Sequence, residues 1–149
     1  MSALNALMVA VEAAERQRDQ SRQMLQHTRS AQSAAQQQLD QLQGYANETE
    51  ARWGMRADAS VAPEVMFHHY QFMDRLAHAI TLQTAVVHDQ EKRVAMAQSA
   101  LLATELRLTS LKKLTDKRRQ ELQQMQSRRD QKQTDERAAL QYRQKRTSL

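Results

Sequence analysis

The segment Gly44–Pro63, GYANETEARWGMRADASVAP, holds every glycine and proline of the chain: Gly44, Gly54 and Pro63. Together these two residue types make up about 12% of an average sequence, but here they number 2 and 1 among 149 residues. Glycine and proline set most chain reversals, so this protein has one reversal to make. Sheet proteins and loop-rich enzymes need many more, which excludes both. Outward from that segment the chain is mostly Ala, Leu, Gln, Glu, Arg and Lys, the residues that lose least on entering a helix. The reading is all-α: helix 1 at about 3–53, a tip linker at about 54–62 and helix 2 at about 63–145, folded as one antiparallel coiled-coil domain over 1–149. Pro63 lacks an N–H and fixes its own φ, which suits a first helical turn, and Asp58 or Ser60 can cap it. Gly44 falls inside helix 1 and weakens it by up to ~1 kcal/mol relative to alanine.

Composition narrows the chemistry. With no cysteine there is no disulfide, no thiol nucleophile and no zinc site of the cysteine type. Leu4–Val11 runs straight into charged residues rather than a cleavage site, so no signal peptide is expected. No apolar run approaches the roughly 18 residues of a membrane span. The expectation is a soluble, cytoplasmic protein without direct membrane insertion. A net charge of +5 points to an acidic partner without naming one.

Each helix carries a seven-residue repeat. In helix 2 the a positions are Met66, Met73, Ile80, Val87, Val94, Leu101, Leu108, Thr115 and Leu122. Its d row is more mixed: His69, Leu76, Gln83, Gln90, Ala97, Thr104, Leu111, Arg118 and Met125. In helix 1 the a row is Leu4, Val11, Arg18, Leu25, Gln32, Leu39, Ala46 and Trp53. Its d row is Leu7, Ala14, Ser21, Thr28, Ala35, Leu42 and Thr49. A period of seven with apolar a and mixed d is a left-handed coiled-coil seam, weakest in the polar middle of helix 1. A reversal near residue 58 pairs residues whose numbers sum to about 117, placing Leu42 near Leu76, Val11 near Leu108 and Leu4 near Leu111. Helix 2 is then unpaired beyond about 114, an overhang of roughly 45 Å at 1.5 Å per residue. Residues 112–146 contain twelve basic and five acidic residues, so the chain's positive charge is concentrated there.

Candidate sites are few. His68 and His69 point about 100° apart on a helix, so no metal site is expected, and His68, His69, His78 and His88 read as partly exposed helix histidines. The two glycines are ten residues apart and make no phosphate loop. Two thin helices offer no pocket for an acid–base pair or nucleophile, so no catalysis and no cofactor are expected. Met66, Met73, Met96 and Met125 read as seam filling. The basic overhang is either a solvated end that frays or a surface that lies along something acidic. Nucleic acid is disfavoured as that partner, because Tyr142 is the only aromatic there and acids are mixed through it.

One further pattern lies beside the tip. Gln38, Leu42, Tyr45 and Thr49 alternate between g and d of helix 1, and Phe72, Leu76, Ala79 and Gln83 do so in helix 2. In an antiparallel pair the g edges meet, so these eight form one strip. Tyr45 and Phe72 are larger than a two-stranded seam can cover, which leaves a docking site, a tightly packed tip or a third helix from another copy as readings.

Three blocks carry a resemblance. Gln38–Tyr45, His69–Ile80 and Arg128–Ala138, in this order and spacing, are similar to the end of helix 1, the start of helix 2 and the C-terminal block of the FliJ family. FliJ is the small soluble component of the bacterial flagellar type III export apparatus. Thr49 and Gln83 depart from it, standing where the family has an aromatic and, in some members, a histidine. The resemblance implies a non-enzymatic stalk, like the γ stalk of rotary ATP synthases, inside the hexameric flagellar export ATPase. It further implies contact with the export gate protein FlhA and with export chaperones, peripherally at the inner membrane of the flagellar base. Gate contact would fall to Gln38, Leu42, Tyr45, Phe72, Leu76 and Ala79. Ring contact would fall to Leu4, Leu7, Val11, Arg118, Arg119, Arg128, Gln131, Lys132, Asp135 and Glu136. A generic coiled-coil adaptor, or a nucleic-acid-associated basic coiled coil, is the alternative.

Overall fold

The computed structural model describes residues 2–55 and 61–148. Two helices account for them: α1 spans Ala3–Met55 and α2 spans Pro63–Thr147. These ends lie within two residues of those read from the sequence, the usual range of terminal fraying. Ser2 caps α1, its hydroxyl accepting the Asn5 amide at 3.2 Å. The Ala62 carbonyl opens α2 by accepting from the amides of Val65 at 3.0 Å and Met66 at 3.2 Å. Asp58 and Ser60, the expected caps, lie outside the described residues. Gly54, expected in the linker, is helical, and neither glycine has a positive φ.

The chain forms two units, each an antiparallel pairing of a piece of α1 with a piece of α2. In the unit Asp19–Ala103, one core cluster joins Ala35, Leu39 and Val87, with Ile80 packed against it. A second joins Leu25, Val94 and Ala97, with Leu101 against it. Every a and d position of α1 is buried or half-buried, and the same holds in α2 from His69 to Leu122. Only Met66 and Met125, at the two ends of the α2 rows, are exposed. The heptads assigned from sequence are therefore the seam.

The register differs from the expected one. Ala35 clusters with Val87, Leu25 with Ala97, and Trp53 stacks on His69, three pairs whose numbers sum to 122 rather than 117. The physical reason is that an antiparallel seam sets an a residue opposite a d residue. With these heptads the sum can only be 115, 122, 129 and so on, whereas halving the linker ignores that restriction. Leu42 therefore faces Ile80 instead of Leu76, and Leu76 faces Ala46. Small residues meet large ones: Leu25 with Ala97 and Ala35 with Val87 let the helices approach closely.

The second unit joins Met1–Arg18 to Thr104–Leu149. The same register sets Val11 opposite Leu111 and Leu4 opposite Arg118, in place of the expected Leu108 and Leu111. Ala14 and Leu108 are buried, and Lys112 reaches Glu15 at 4.0 Å beside them. Thr115 is the one buried polar residue among the described residues, and its hydroxyl donates to the Leu111 carbonyl at 2.8 Å. Shielding continues through Arg118 to Leu122, so cover ends one to two turns later than the expected 114. The later register carries it there. From Gln123 to Ser148 every residue is exposed.

Gly44 tests the regularity of α1. A Cβ added there meets nothing within 4 Å and the backbone is helical. Gly44→Ala is expected to stabilise the protein by up to ~1 kcal/mol, read from urea unfolding followed by circular dichroism.

Candidate functional site

The g edges of α1 and α2 do meet in the Asp19–Ala103 unit. Tyr45 and Phe72 touch edge to face, with ring centroids 5.8 Å apart and planes at 84°. Two to three turns along, the Gln83 amide donates to the Gln38 side-chain carbonyl at 3.2 Å and to the Ala35 backbone carbonyl at 2.9 Å. The strip thus has an exposed rim of Gln38, Tyr45 and Phe72, with Tyr45 53% and Phe72 39% exposed. Beneath it Leu42 and Ala79 are half-buried. Leu76 is 8% exposed and belongs to the core: as a d residue opposite Ala46 it supports the rim from within. Thr49 turns its hydroxyl onto the Tyr45 carbonyl at 2.8 Å.

Sequence reasoning missed two features beside this strip. Trp53 lies flat on His69, centroids 3.9 Å apart and planes within 5°, closing the seam near the tip. Val65, Met66, Phe67 and Tyr70 are exposed at the start of α2, with Phe67 and Tyr70 60% and 61% exposed. The signal was present in the run of aromatic rings from Phe67 to Phe72, in a chain with only 4% aromatic residues.

The residues that the resemblance assigns to ring contact divide into two groups. Leu4, Leu7 and Val11 are half-buried seam residues that stiffen the Met1–Arg18 pairing. A shallow groove on its e edge is lined by Met8, Val11, Glu12, Thr115, Asp116 and Arg119 among others. Arg118 pairs with Glu121 at 3.3 Å and Arg119 with Asp116 at 3.9 Å. Arg128, Gln131, Lys132, Asp135 and Glu136 line one side of α2 with Ala139, at the three- and four-residue spacing that stacks side chains along a helix. Gln131 donates to Asp135 at 3.2 Å and Gln126 to Asp130 at 3.2 Å, so this stretch is held by contacts within its own helix. It stands beyond the last shielded residue, and α1 supplies it no partner in the register observed.

The grooves are shallow, and among the described residues no three His, Asp or Glu side chains come together to hold a metal ion. His88 meets only Glu91, at 3.4 Å. Among the described residues no helix is long and apolar enough to cross a membrane. What the geometry offers is edges and an uncovered helix, the equipment of a helical docking protein. The whole of this layout, residues 3–147, matches the family model described as flagellar FliJ protein. No curated protein and no solved structure matches the chain. The chain belongs to the FliJ family, the coiled-coil, non-catalytic components associated with flagellar protein export.

The Trp53–His69 stack is expected to hold the tip closed. Trp53→Ala should cost about 1–2 kcal/mol through the lost ring contact and burial, and should speed amide exchange near Ala46–Thr49 while leaving Leu25–Ser33 protected. Uniform loss of protection along α1 would show that the stack acts on the whole pairing.

Proposed function

We propose that this protein is a stalk and adaptor that couples the hexameric flagellar export ATPase to the export gate protein FlhA. On this reading it also handles export chaperones, and it works on the cytoplasmic face of the inner membrane. The observation that supports this most is the bare stretch from Gln123 to Ser148, helical to Thr147, exposed all round and joined to a paired stiffening segment. It carries seven basic and three acidic residues. A part that moves inside a ring must be stiff yet must not lock at one position. Apolar patches would lock it, whereas exposed ion pairs contribute only ~0–1 kcal/mol each in water. Leu4, Leu7 and Val11 then brace the entering segment, with Arg118, Arg119 and the stripe Arg128, Gln131, Lys132, Asp135 and Glu136 on the ring side. At the tip, Gln38, Tyr45 and Phe72 form the gate-facing rim, with Leu42, Leu76 and Ala79 beneath it.

Steady-state ATP hydrolysis by the flagellar ATPase of the same cells, titrated with this protein, tests the ring half. The rate is expected to rise and saturate near one stalk per six ATPase subunits, and the rise should vanish when residues 123–149 are removed. A flat titration with no co-migration would reject the stalk. For the gate half, Tyr45→Ala with Phe72→Ala should weaken binding to the cytoplasmic part of FlhA by at least about tenfold, as removal of central aromatic anchors does. ATPase stimulation should be unchanged; equal loss of both would refute the division between the two ends.

A further inference from the structure

The seam of the Asp19–Ala103 unit permits more than one pairing. Because a must face d, the numbers of facing residues can change only by seven in their sum. In the observed register Leu25, Ala35, Leu42 and Ala46 face Ala97, Val87, Ile80 and Leu76. With the sum lowered from 122 to 115, Ala35, Leu39 and Leu42 face Ile80, Leu76 and Met73. That is four aliphatic pairs against three, and Gln32 meets a glutamine in both, Gln90 or Gln83. The opposite step, to 129, strands Pro63–Met73 past the end of α1 and pairs less of the chain. Apolar patterning alone therefore hardly separates two neighbouring registers.

A second observation points the same way. Met66 sits at an a position and continues the α2 seam, yet it is exposed, because the residue it would face falls beyond Met55, where α1 ends. In the alternative register Met66 faces Thr49. The seam of α2 thus extends one a position beyond the pairing observed. The observed register is held by contacts that the other would break. Gln83 gives its amide to the Ala35 carbonyl and to Gln38, and Trp53 stacks on His69. After the step Gln83 would face Gln32, and His69 would face Ala46.

We propose that this unit has a second register, reached when α1 slides along α2 by one heptad, about 10 Å at 1.5 Å per residue, and that Gln83 is the residue that holds the observed one. The slide recomposes the g edge. Tyr45 lies between Phe72 and Ala79 in the observed register and moves to lie between Val65 and Phe72 in the other, covering Val65, which is now exposed. Anything docked on this edge would therefore favour one register over the other.

The chain has no cysteine, so paired cysteines read the register directly. Thr28→Cys with Val94→Cys reports the observed register; Thr28→Cys with Val87→Cys reports the second. Both pairs lie far from the tip, where fraying cannot bring them together. The second pair stands about 10 Å apart along the axis in the observed register, too far for a disulfide. Under mild oxidation of dilute full-length protein, the first pair should close fast, and the second more slowly but to completion as an intramolecular bond with helicity retained. Adding Gln83→Ala should speed closure of the second pair. Adding Gln83→Leu, which sets leucine against Leu39 in the observed register and against Gln32 in the other, should slow it. A second pair that stays reduced while the first closes, or that closes only with loss of helicity, overturns the second register. A closure rate indifferent to Gln83→Ala overturns the role of Gln83.

Discussion

The rest of the structure depends on the rule that an a residue of one helix faces a d residue of the other. The two helices have no third layer to lean on, and no large side chain among the described residues is fully buried. Each layer of the seam excludes water only partly, so each contributes modestly and stability accumulates along the length. This explains why polar residues are tolerated at so many seam positions. Arg18, Ser21, Thr28 and Gln32 are half-buried and keep contact with water, whereas Thr115, buried, satisfies its hydroxyl within its own helix.

That same thinness decided what could be read from the sequence. Helix content followed from the confinement of Gly44, Gly54 and Pro63 to one segment, and the seam positions followed from the period of seven; both depend only on neighbours along the chain. Register depends on partners about fifty residues away, and midpoint arithmetic set it five residues short. The a-to-d rule would have rejected a sum of 117 outright. It would not have chosen between 115 and 122, because that choice rests on the Gln83 bond to the Ala35 carbonyl and on the Trp53 stack, neither of which leaves a mark in a heptad table.

The strip beside the tip was legible in outline for the same reason: g-edge neighbours follow from the repeat, and Tyr45 and Phe72 were too large to hide. The depth of each residue was less legible. Leu76 and Phe72 are four residues apart on one helix, yet the first is core and the second is rim. The extent of the bare C-terminal helix was overestimated at its start, where Thr115, Arg118 and Leu122 are still covered, because it inherits any error in the register.

The chain contains a single tryptophan, and it lies against an imidazole at one end of a paired unit. Its fluorescence therefore comes from one place in the molecule and is exposed to contact quenching by the ring it rests on. Whatever opens, covers or displaces that end changes the emission of the unlabelled protein. The protein thus carries its own optical gauge where Trp53 meets His69.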